Sequence, residues 1–96
     1  MEPISSLSRP YLYIPVENAS GAETVEIAFT TPGAEPLEAD WHPAEWASVS
    51  RRGAEARILI GPGGAVTLAG GTYMAWVRVT NAVEQPVLPS GLVPII

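Results

Sequence analysis

Between Leu68 and Thr80 the chain reads LAGGTYMAWVRVT, and no other stretch restricts the possible folds as much. After the glycine corner at Gly70 and Gly71 it becomes strictly alternating. Side chains of a strand alternate with period two, so Tyr73, Ala75, Val77 and Val79 share one face. Thr72, Met74, Trp76, Arg78 and Thr80 share the other. A leucine, a glycine turn and a tyrosine two residues ahead of a small apolar position form the pattern of a tyrosine corner. Leu68, Gly71 and Tyr73 carry it here. In such a corner the ring is buried and the hydroxyl bonds back to backbone just upstream, which phenylalanine could not do. In immunoglobulin-like sandwiches this tyrosine opens strand F. The competing reading is an ordinary strand tyrosine with its hydroxyl in water.

The rest of the chain supplies strands of the same kind. YLYIPV (11–16) is a first strand, and Pro15 marks it as an edge or a bulge because proline cannot donate to a ladder. ETVEIAFT (23–30) is a second, with Val25, Ile27 and Phe29 inward and Thr24, Glu26, Ala28 and Thr30 outward. EADWHPAEW (38–46) offers Trp41 as the core tryptophan of a third strand. SVSRRG (48–53) is a polar turn, and AEARILI (54–60) alternates again. GPGG (61–64) reads as a hairpin turn, with 65–68 as a short strand feeding the corner. Residues 87–96 return as a last strand that Pro86, Pro89 and Pro94 confine to an edge. About seven strands at a spacing near ten residues predict an all-β, immunoglobulin-like sandwich of antiparallel strands over residues 11–96. Residues 1–10 precede it as an extended arm. The arm's apolar residues, Ile4 and Leu7, are too few to fold alone, so it is expected to pack on a neighbouring subunit.

Charge and composition narrow the function. Nine Glu, one Asp and five Arg, with no lysine, give a net charge of −5. That balance disfavours nucleic acid and anionic membrane surfaces, both of which need clustered cations. No apolar run approaches the length of a transmembrane helix. The N-terminus MEPISSLSRP lacks the basic and apolar regions of a signal peptide, so synthesis in the cytoplasm is expected. Charged residues are only 16% of the chain, against a usual ~25%. This predicts that partners cover part of the surface.

Catalytic chemistry finds little to use. There is no cysteine, and His42 and Asp40 are the only residues of their types. They fall short of a zinc set, and the serines sit in no nucleophile elbow. The glycines of 61–64 have no lysine or following helix with which to hold a phosphate. The expectation is a protein without enzymatic activity, cofactor, metal or small-molecule substrate. Trp, Met and Arg are enriched at interface centres. The candidate interface is therefore Met74, Trp76 and Arg78 on the outward face, with the cationic pair Arg51 and Arg52 and the arm residues Ile4 and Leu7. A one-residue slip of register would instead put Trp76 in the core.

The order AFT, DWHPAEW, ARILIGPGG, LAGGTYMAWVRVT and PVLPSGLV resembles short immunoglobulin-like virion proteins of tailed bacteriophages and prophages of GC-rich Gram-positive bacteria. The most specific pieces are ARILIGPGG (56–64) and GTYMAWVRVT (71–80), with EQPVLPSG (84–91) similar to the family's return strand. Asn81 stands where that family usually has aspartate. The resemblance implies a virion structural protein, a capsid decoration or head–tail joint subunit. Its partners would be the major capsid or head–tail proteins and further copies of itself. The alternatives are a tail-tip or baseplate component, and a cellular carbohydrate- or protein-binding module using Trp41, Trp46 and Glu45.

Overall fold

A computed structural model describes residues 2–96. It is a β-sandwich of two antiparallel sheets. Strands β1 (Tyr11–Glu17), β4 (Glu45–Ser50) and β5 (Gly53–Leu59) form one, in the order β1-β5-β4. Strands β2 (Thr24–Thr30), β3 (Trp41–Pro43), β6 (Gly71–Thr80) and β7 (Val87–Ile95) form the other, in the order β3-β2-β6-β7.

The alternation seen in the sequence is what the two layers bury. Leu12, Ile14 and Val16 of β1 and Ala54, Ala56 and Ile58 of β5 face Val25 and Ile27 of β2 and Ala75, Val77 and Val79 of β6. Each large aliphatic group removed from water in this way stabilises the fold by about 1.5–3 kcal/mol before ordering costs. Pro15 sits, as expected, on an edge strand. The chain passes between the layers at Ala44, whose N–H donates to the Val25 carbonyl at 3.1 Å. One side of the sandwich is closed there by the step from β3 to β4.

Tyr73 donates its hydroxyl to the Ala69 carbonyl at 2.8 Å, and Leu68 and Tyr73 both pack against the core. The bond holds the turn at Gly70–Gly71 to the strand that follows it. Because the hydroxyl is accessible to water, Tyr73→Phe is expected to cost about 0.5–1.5 kcal/mol, the ordinary net value of one hydrogen bond. A urea midpoint equal to wild type would show that the bond contributes nothing.

Three expectations are corrected. GPGG does not close a hairpin: residues 61–64 turn the chain so that Val66 bridges Ile60 in parallel, and no strand forms over 65–68. The glycines make a corner between the sheets, and Gly61 (φ 105°) lies so close to the Ser8 carbonyl that a Cβ could not fit. Trp41 is not the core tryptophan. It pairs with Ala28 on the outer side of β2, while Trp46 packs against the core and donates its indole N–H to the Glu23 carbonyl at 2.8 Å.

The third correction concerns the arm, which lies on its own sandwich. Ile4 N–H donates to the Pro94 carbonyl (2.9 Å), Ile96 N–H to the Ile4 carbonyl (2.9 Å) and Ser6 N–H to the Ile96 carbonyl (2.7 Å). Ile4 packs against the core, whereas Leu7 is 88% exposed. The free end of β7 offers unpaired backbone groups, and the nearest extended segment is the arm itself. Removing residues 2–10 is therefore expected to lower the melting temperature by about 5 °C or more. A loss of ~1 kcal/mol does that in a domain of this size. An unchanged melting temperature would show the arm to be an appendage.

Candidate interaction surfaces

Both outer faces of the sandwich carry aromatic and charged side chains, and they differ in how many of these are already engaged. On the four-stranded sheet the outward residues of β6 are Met74, Trp76 and Arg78, as the alternation predicts. Cross-strand pairing sets Trp76 beside Ala28 and Arg78 beside Glu26. The segment between β2 and β3 then folds over them. Trp76 donates its indole N–H to Thr30 Oγ1 at 3.0 Å, and Thr30 donates its hydroxyl to the Ala34 carbonyl at 3.0 Å. Ala28 and Thr30, expected to point into solvent, are buried beneath this cover.

Arg78 is the centre of the cover, and its place among the exposed interface residues is corrected. It is 8% exposed and held from three sides. Its Nε bonds Glu26 Oε1 at 2.9 Å, and its Nη1 and Nη2 bond the Glu38 carboxylate at 2.8 and 3.2 Å. The guanidinium lies 4.6 Å from the centre of the Trp41 ring. Arginine suits this position because its planar fork serves two carboxylates while its face stacks on an aromatic ring. Hydrogen bonds to Glu38 and then Glu26 hold the guanidinium above its ordinary range.

Hydrogen bonding and then charge attraction from Arg78 lower the Glu38 carboxyl below its ordinary value of 4.5. A carboxyl whose folded pKa is depressed adds stability above its unfolded pKa and loses it as pH falls through the folded value. The melting temperature should therefore fall less steeply below about pH 4.5 in Glu38→Gln than in the wild type. The difference should be modest, because the Glu38 side chain is 84% exposed and its charge is screened. Identical pH profiles would exclude the pair as a source of stability.

What remains open on this face belongs to β7. Val87 and Leu92, opposite Arg78 and Met74, are about half exposed. Leu88, opposite Val77, is half exposed on the inner side of the same strand. The last two candidate cations, Arg51 and Arg52, form the exposed two-residue turn between β4 and β5, on a different part of the surface from Met74 and Trp76.

On the three-stranded sheet Tyr11 and Tyr13 project outward from β1, 41% and 47% exposed, with ring centres 6.1 Å apart. The Arg57 guanidinium sits 4.3 Å from the centre of the Tyr11 ring and bonds Glu45 Oε1 at 2.6 Å. The bond to Glu45, and then Tyr13, raises its pKa. Neither tyrosine is among the interface candidates that residue type alone points to. The alternation of YLYIPV, with Leu12, Ile14 and Val16 on one face, already placed them on the other.

The sparse chemical groups are not brought together. Asp40 accepts the Leu37 N–H at 2.7 Å within a 3-10 turn (Glu38–Asp40), while His42 lies in β3 opposite Ile27. Trp41, Trp46 and Glu45 do not form a sugar platform either. The first lies under Arg78, the second packs on the core, and Glu45 is paired with Arg57. Compared with protein families, curated proteins and solved structures, the chain matches none.

Proposed function

We propose that the protein is a non-enzymatic structural subunit of a tailed-phage particle, a capsid decoration or head–tail joint component that works by protein–protein contact. The observation that carries the assembly reading is the split between engaged and free groups. The arginines of the two outer faces are engaged, Arg78 with Glu26 and Glu38 and Arg57 with Glu45. Apolar and aromatic groups are left to solvent on β7 and β1. Sheet faces whose arginines are engaged and whose exposed groups include aliphatic and tyrosine side chains suit a dry, specific contact better than they suit catalysis.

The immunoglobulin-like character of the sandwich is supported by the hydroxyl bond of Tyr73 to the backbone four residues upstream and by the placing of β2, β6 and β7 side by side in one sheet. The particle itself is suggested by the resemblance of ARILIGPGG and GTYMAWVRVT to virion proteins.

The experiment is electron microscopy of particles from cells that carry the chain, with an antibody raised against the folded recombinant protein. The chain should sediment with particles in a density gradient, and labelling should fall on the head or the head–tail joint. Label confined to the tail tip would replace the joint by a baseplate role. Folded protein abundant in the lysate but missing from particles would overturn the proposal.

A further inference from the structure

We propose that the free edge of β1 pairs with β1 of a second copy, antiparallel about a two-fold axis at Leu12. Two three-stranded sheets would thereby become one sheet of six strands. The direction of the backbone groups carries this. In an antiparallel ladder hydrogen-bonded pairs alternate with non-bonded ones. The Ile60 N–H donates to the Pro10 carbonyl (3.0 Å) and the Asn18 N–H to the Arg52 carbonyl (2.9 Å). These two bonds frame β1, whose register against β5 is unbroken from Tyr11 to Glu17. The even-numbered residues therefore bond β5, and the odd-numbered ones direct N–H and C=O to the open side.

Between Pro10 and Pro15 the outward set is Tyr11 and Tyr13: two donors and two acceptors. A two-fold axis at Leu12 sets Tyr11 opposite Tyr13 of the second copy and Tyr13 opposite Tyr11. Every one of these groups is then satisfied, in four hydrogen bonds. The edge is complementary to itself, which is what an isologous contact requires.

The other edges are obstructed. β7 contains Pro89 and Pro94 and has the arm on its far end, and β3 is three residues ending in Pro43. β4 shifts register between Trp46 and Ser48. Prolines, short strands and bulges are the means by which sheet edges are kept from pairing, and the segment 11–14 has none of them. Side chains agree with the register. Tyr11 and Tyr13 of both copies would form a row of four rings on the outer face, with opposed Cβ atoms about 4.5–5.5 Å apart. Arg9 would lie opposite Pro15 of the second copy, beyond the paired tyrosines. The added strand would also cover the open cleft, about 170 Å³, between residues 12–14 and 90–93.

The test uses the purified full chain and is independent of any particle. Sedimentation equilibrium from micromolar to several hundred micromolar should show a monomer–dimer equilibrium. Tyr13→Pro removes an outward donor and no bond to β5, and should weaken the dimer at least tenfold. Because the chain has no cysteine, register can be read by cross-linking. An equimolar mixture of Tyr11→Cys and Tyr13→Cys under mild oxidation should form the mixed disulfide faster than either variant forms its own. A monomer throughout the concentration range, or mixed disulfide no faster than the homodimers, would overturn the proposal. Should Tyr13→Pro fail to fold, sedimentation of the wild type and the disulfide comparison decide it.

Discussion

Replacing Gly53 with alanine is expected to cost about 2–6 kcal/mol, a large effect for a single residue. Gly53 is the first residue of β5, after the turn at Arg51–Arg52, and its φ is 154°. A side chain held in that region costs about 1–3 kcal/mol of backbone strain. A Cβ there would also strike the Val16 carbonyl, with Glu17 Cα and the Asn18 nitrogen close behind. These are backbone atoms of the neighbouring strand and cannot rotate aside, and overpacking of this kind adds about 1–3 kcal/mol. Both costs act where two ladders begin, because Gly53 is the register partner of Glu17 in β1 and of Ser50 in β4. Urea denaturation of Gly53→Ala beside the wild type measures the sum. A midpoint shift equivalent to less than ~1 kcal/mol would show that β1 gives way without cost.

The second large effect is expected at Ile27. It is fully buried and central, paired with Val77 in β6 and His42 in β3, and it faces the three-stranded sheet. Ile27→Ala is expected to lose about 2–5 kcal/mol, since the transfer energy of the removed methylenes is joined by a cavity that a two-layer core cannot close. Ile27→Val should cost only about 0.5–1.5 kcal/mol, and that ratio distinguishes a cavity from general disruption. Small domains are stable by about 5–15 kcal/mol, so the alanine variant would have a visibly unfolded fraction well below the wild-type melting temperature. Equal losses for the two variants would contradict the packing described here.

Much of this architecture is written locally. Alternation over 11–16, 24–30, 54–59 and 71–80 determines which residues face inward, because a strand has only two sides and one of them must leave water. Pro15, Pro89 and Pro94 mark β1 and β7 as edges, because a missing N–H is tolerated only where no neighbour asks for it. Tyr73 and its hydroxyl bond follow from LAGGTY, since donor and acceptor are four residues apart. What the sequence alone left undecided depends on residues distant along the chain. Arg78 reads as an exposed cation until Glu26, Glu38 and Trp41 are folded around it, 52, 40 and 37 positions away. Trp46 rather than Trp41 reaches the core because Ala44 carries the chain from one sheet to the other between them, a step that no periodicity encodes. The arm, too few in apolar groups to fold alone, finds its partner in β7 at the opposite end of the chain. Strand faces follow from side-chain period and are local. The cover over Arg78 and the seat of the arm arise only when edges and loops made far apart in sequence meet, and there the tertiary structure decided.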